Sequence, residues 1–86
     1  MSVHEDHRSL TAADITAILA RNCGLDPDRA AADTSASLAE LGMDSLAVLE
    51  LQAVVADTYH VRIPDDAVAL SIPAIVEFVD KQHREA

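Results

Sequence analysis

The sequence predicts an all-α fold, a four-helix bundle with three main helices, one short helix and a long first loop. Half of the residues are hydrophobic but only Tyr59 and Phe78 are aromatic, so the interior must be built from Leu, Ile, Val and Ala. Such an interior suits packed helices better than a sheet. Apolar residues recur at helical spacing in three segments, and each segment follows a capping residue. At 86 residues the chain can bury only about 60 to 65% of its unfolded surface, which favours one small domain. That domain is expected over residues 10–86, with residues 1–9 as a polar, mobile N-terminal tail.

Thr11 followed by Asp14 resembles a capping box, with Asp shorter than the usual Glu or Gln, and Leu10 with Ile15 has the spacing of a hydrophobic staple, so the first helix should begin at Ala12. Ile15, Ile18 and Leu19 give its apolar face, and Gly24 supplies the left-handed stop after Cys23. From Leu25 to Met43 periodicity is weak, and Pro27, several Asp and a Ser/Thr cluster mark a long connection. Structureless loops beyond about 12 to 15 residues are uncommon in compact domains, so a short turn of helix near Leu38 to Leu41 should pin it.

Gly42 breaks the chain, Asp44 is a good N-cap, and "SLAVLELQAVVADTY" contains neither Gly nor Pro; the second main helix is expected over Ser45–Tyr59. Pro64 forces an extended or turned residue at Ile63, ahead of a short helix over Asp66 to Leu70. Ser71 caps the last helix and Pro73 is tolerated in its first turn. Ile72, Ile75, Val76 and Val79 then follow the i, i+3, i+4, i+7 pattern.

Fifteen acids against six bases give a net charge of −9, the wrong sign for a phosphate backbone, so nucleic acid is not expected as a partner. No Lys or Arg lies between Arg29 and Arg62, whereas Asp33, Glu40, Asp44, Glu50 and Asp57 fall in that gap. The gap reads either as a solvated surface or as a docking face for basic proteins. No apolar run approaches the roughly 18 residues that span a bilayer, and Met1 to Ser9 lacks the apolar core of a secretory signal; a cytoplasmic monomer without membrane contact is expected. Cys23 has no partner for an internal disulfide and reads as a small buried hydrophobe. His4 and His7 lack further ligands nearby, so no metal site is expected.

The middle helix carries two stripes at about 100° per residue. Val48, Leu51, Val55 and Tyr59 form the core face. Leu46, Leu49, Ala53 and Ala56 form a second, with Ser45 at one margin and Glu50 and Asp57 at the other. Ala53 and Ala56 are expected to be buried. Leu46 and Leu49 are expected to face outward as an apolar strip rimmed by charge, suited to transient protein contact.

Ser45 admits three readings. It can be a plain first-turn residue, gathered there for backbone hydrogen bonding. It can be a hydrolase nucleophile: "GMDSL" looks like a stretched Gly-Asp-Ser-Leu esterase signature, and Asp57 to His60 and Asp80 to His83 both have Asp-x-x-His spacing. Fifteen residues of helix, however, put His60 roughly 20 Å from Ser45, too far for proton transfer. Finally, it can be a point of attachment, where a phosphodiester would sit at the positive end of the helix dipole. Asp44 could then help hold a divalent cation delivered with a phosphate donor.

"LGMDSLAVLELQ" closely resembles the motif of the acyl carrier protein family, in which the serine of Asp-Ser-Leu receives 4′-phosphopantetheine from coenzyme A. The resemblance spans nearly the whole chain, from the first helix and long loop through "VRIPDD" to the last helix. It implies that Ser45 is the attachment residue, and that Asp44, Leu46, Leu49 and Glu50, with Ile63 beside the arm, occupy positions that pathway enzymes recognise. Asp57 extends the acidic margin of that strip. "YHVRIPDD" is similar to the discrete carriers of aromatic polyketide synthases, which often have Gly where this chain has His60.

The resemblance therefore implies a carrier without catalysis of its own, holding malonyl units and growing polyketide chains as thioesters. Implied partners are a phosphopantetheinyl transferase, a malonyl acyltransferase, a ketosynthase with its chain-length factor, and a ketoreductase and cyclase. A fatty-acid carrier would have the same site; an esterase and a purely structural interaction module are the remaining alternatives.

Overall fold

The computed structural model describes residues 10–85, with side chains through residue 82. Helices α1 (Ala12–Cys23), α2 (Pro27–Ala32), α3 (Ser45–Tyr59) and α4 (Ile72–Glu85) follow one another, with a 3-10 helix (Asp65–Ala69) between the last two. The all-α bundle of three main helices expected from the sequence is the fold observed. The tail assigned to residues 1–9 lies outside the described residues.

Local chemistry sets the helix ends. The Thr11 hydroxyl accepts the Asp14 amide at 3.1 Å while the Asp14 carboxylate accepts the Thr11 amide at 3.0 Å, closing the capping box. Gly24 ends α1 in the left-handed region at φ 80°. At the start of α4 the Ser71 hydroxyl accepts the Ala74 amide at 3.2 Å. Pro73, in that first turn, lacks only a donor for which the helix has no acceptor.

The long connection differs from expectation. Its helical piece is α2, opened by Asp26 as N-cap with Pro27 as first helical residue, a signal present in "LDPDRAAA" but too short to show a period. Where a turn of helix was expected near Leu38 to Leu41, residues 38–42 form a hydrogen-bonded turn instead. Ser37 and Glu40 cap one another there, amide to side chain, at 2.8 and 3.1 Å. Non-local pairing fixes the turn: Leu38 and Ala39 donate their amides to the carbonyls of Leu70 and Val68 at 3.0 and 2.9 Å, beside a single antiparallel bridge between Ser37 and Ser71. Arg29 adds a bond to the Glu40 carbonyl at 3.0 Å.

These ties bring residues from every helix into one core. Ile15, Leu19, Leu38, Leu51, Val55, Ile75 and Val79 are fully buried, and no polar or charged residue among those described is buried. Fully burying such a side chain contributes roughly 1.5 to 3 kcal/mol, so the aliphatic interior carries the fold. The segment after α3 is held by two glutamines. Gln52 donates to the Ile63 carbonyl at 2.9 Å and to the Asp65 carboxylate at 2.8 Å, and the Gln82 amide pairs with both the N–H and the carbonyl of Arg62.

Candidate functional site at the start of the third helix

Three consecutive backbone requirements place Ser45. Gly42 turns the chain at φ 88°, a left-handed conformation that a side chain would strain. Met43, 8% exposed, drops into the core and anchors the turn. Asp44 is extended and its carboxylate accepts the Ala47 amide at 3.1 Å, so Asp44 rather than Ser45 serves as the cap. Ser45 is thus the first helical residue, exposed, and its hydroxyl makes no hydrogen bond among the described residues. A phosphoryl group on that oxygen would lie at the positive end of a 15-residue helix, so the site fits such a group.

Leu46 and Leu49 are 70% and 59% exposed, as expected for an outward strip. With Asp44, Glu50, Ala47 and Cys23 they line an open groove of about 550 Å³ between the end of α1 and the start of α3. Its floor is apolar and two carboxylates stand along it. Burial first, then the Glu50 and Asp44 carboxylates, push the Cys23 thiol above its ordinary range. The thiol stays protonated at neutral pH, with its sulfur 4.0 Å from the Ala47 carbonyl, and acts as a packing group.

Asp44, Ser45, Leu46, Leu49 and Glu50 therefore gather at one end of α3. Asp57 is exposed but about two turns beyond Glu50. Ile63 stands apart: it is 4% exposed, part of the core, and offers a carbonyl to Gln52 rather than a side chain to the surface. Ala53 and Ala56, expected to be buried, are exposed, because α1 and the 3-10 helix pack on the flanks of α3 and leave its outer face uncovered. His60, at the far end of α3, cannot serve Ser45 as a base. The His83 side chain lies outside the described residues. Among the described residues no group of three or more His, Cys, Asp or Glu could hold a metal ion, and no helix is long and apolar enough to cross a membrane.

Sequence reasoning passed over Gln52 and Arg62, which line a second groove with Ala56, Val61, Ile63 and Asp65. Gln52 and Ala56 follow Ser45 by seven and eleven residues, within about 20° of it around the helix axis; that spacing was the available signal.

Residues 13–80 match the family model described as a phosphopantetheine attachment site. The chain is 37% identical over 81 residues to the anthracycline acyl carrier protein DauA of Streptomyces sp. (strain C5), covering 90% of this chain and 95% of that one. It is 40% identical over 62 residues to the anthracycline acyl carrier protein DpsG of Streptomyces peucetius, covering 70% and 73% of the two chains. No solved structure matches the chain significantly. The exposed serine opening α3 lies inside the matched span, and the chain belongs to the phosphopantetheine-attachment family of carrier proteins.

Proposed function

We propose that Ser45 is the attachment residue for 4′-phosphopantetheine and that the chain is the acyl carrier protein of an aromatic polyketide pathway. The observation that carries this reading is an exposed, first-turn serine that its own cap leaves unengaged, within a matched attachment domain. The two anthracycline carriers support the polyketide assignment over a fatty-acid one. In the loading step the Ser45 oxygen attacks the phosphorus of coenzyme A that bears pantetheine. A phosphodiester forms, the pyrophosphate bond breaks, adenosine 3′,5′-bisphosphate leaves, and a base of the transferase takes the serine proton.

Once attached, the arm supplies a terminal thiol for carrying acyl groups as thioesters. The chain's own residues present that arm and are recognised by other proteins; catalysis belongs to the partners. Those are a phosphopantetheinyl transferase, a malonyl acyltransferase, a ketosynthase with its chain-length factor, and a ketoreductase and cyclase, all acting in the cytoplasm. Leu46 and Leu49 offer them apolar contact, while Asp44, Glu50 and Asp57 attract basic side chains. Ile63 supports the arm's surroundings from within the core.

The test is intact-protein mass after incubation with coenzyme A, Mg²⁺ and a promiscuous transferase. Wild type should gain one phosphopantetheine and Ser45→Ala none. No gain in wild type, or a gain that survives Ser45→Ala, overturns the assignment.

A further inference from the structure

The groove beside Gln52 is chemically unlike the interior. Ala56, Val61 and Ile63 give it apolar wall, but Gln52, Arg62 and Asp65 stand among them, and its volume is about 270 Å³. Both N–H bonds of the Gln52 amide are committed, to the Ile63 carbonyl and the Asp65 carboxylate. Asp65 is an acceptor only. The Arg62 guanidinium is the remaining donor: it is exposed, makes no hydrogen bond or ion pair among the described residues, and springs from a backbone fixed on both its N–H and its carbonyl by Gln82. It is also the first Lys or Arg after Arg29.

The groove lies on the side of α3 that carries Ser45. Gln52 and Ala56 share the Ser45 side of α3, about 10 and 16 Å along its axis. A saturated alkyl chain laid there would cover guanidinium and carboxylate groups without bonding them, an unfavourable desolvation. A chain bearing ketone oxygens would offer Arg62 the acceptors it lacks, and a guanidinium can reach adjacent oxygens with several donors in one plane.

We propose that Arg62 is a specificity-determining residue, which holds ketone-bearing chains in the groove between α3 and the Val61–Asp65 segment and leaves saturated chains of equal length unheld. This rests on Ser45 as the attachment point, and the test separates the two. Stable, non-hydrolysable probes, one poly-ketone mimic and one alkyl chain of equal length, are joined by thiol chemistry to Ser45→Cys in a Cys23→Ala background. The seat is thereby tested whether or not a transferase modifies Ser45, which the mass experiment decides by itself.

Amide and side-chain NMR shifts are then read. The ketone probe should shift the Arg62 Nε–H and the signals of Gln52, Ala56 and Ile63, and the alkyl probe should not. Arg62→Gln should lose those shifts while its unloaded spectrum stays that of the parent away from residue 62. Equal shifts from both probes, shifts that persist in Arg62→Gln, or shifts at Asn22 and Cys23→Ala on the α1 side instead would overturn the proposal.

Discussion

The Asp44 carboxylate accepts the Ala47 amide at 3.1 Å, and this one bond divides labour at the start of α3: Asp44 caps and Ser45 is left exposed. Asp44→Ala should cost about 1 kcal/mol, which for a domain of this size lowers Tm by about 4 to 8 °C. Asn caps as well as Asp, so Asp44→Asn should keep Tm. If the charge also serves the transferase, Asp44→Asn should still slow phosphopantetheine transfer. Thermal melts and the rate of mass gain check both parts; a wild-type rate in Asp44→Asn would confine Asp44 to capping.

The two ends of α3 make opposite backbone predictions. Gly42 sits at φ 88° with open space where a Cβ would go, so Gly42→Ala carries conformational strain alone, about 1 kcal/mol of destabilisation. His60 ends the same helix at φ 60°, a position a glycine fills without that strain, and His60→Gly should stabilise by a similar amount, about 1 kcal/mol. The sites are far enough apart to act independently, so the double variant should melt close to wild type. Urea denaturation of the three variants measures it.

His60 also shows what sequence could and could not disclose. The bounds of α3 were legible because Asp44 caps it and nothing inside interrupts it, but a histidine gives no sign that it will take a left-handed stop. The turn at residues 38–42 was legible as a pinned loop, yet its partners, Val68 and Leu70, lie about thirty residues on, and no local spacing encodes that pairing. Helical angles located the outward strip of Leu46 and Leu49. They could not decide Ala53 and Ala56, because small apolar residues fit either surface, and the outcome depended on where α1 and the 3-10 helix packed. Ile63 was matched to a position beside the arm, but no local spacing showed that Gln52 would hold its carbonyl and Gln82 the backbone of Arg62 before it, with its side chain in the core.

Cys23 predicts a pH dependence. Its pKa in the folded chain is raised by burial and by Glu50 and Asp44, so the folded state holds the proton more tightly than the unfolded one. Stability linked to this thiol is full below the unfolded pKa and falls as pH rises through the folded value. Cys23→Ser should flatten that alkaline decline. Glu50→Gln removes one carboxylate and should move the midpoint of Cys23 alkylation by iodoacetamide to lower pH. An unmoved midpoint would leave burial and Asp44 as the causes.

Glu50 is exposed on the rim of the groove that carries Leu46 and Leu49, and within α3 there is no Lys or Arg to offset it. A basic partner surface approaching Ser45 should therefore feel its charge during encounter. Glu50→Lys should slow loading and chain transfer by about tenfold at low ionic strength, through association rather than turnover, with far-UV circular dichroism unchanged. At physiological salt the Debye length is about 8 Å, and the difference should shrink as salt rises. Glu77→Lys, an equal charge change at an exposed position of α4, is the control. Should it slow the reactions as much as Glu50→Lys, net charge is the cause and the α3 rim is not a docking edge; should it leave them near wild type, the effect belongs to the surface beside Ser45.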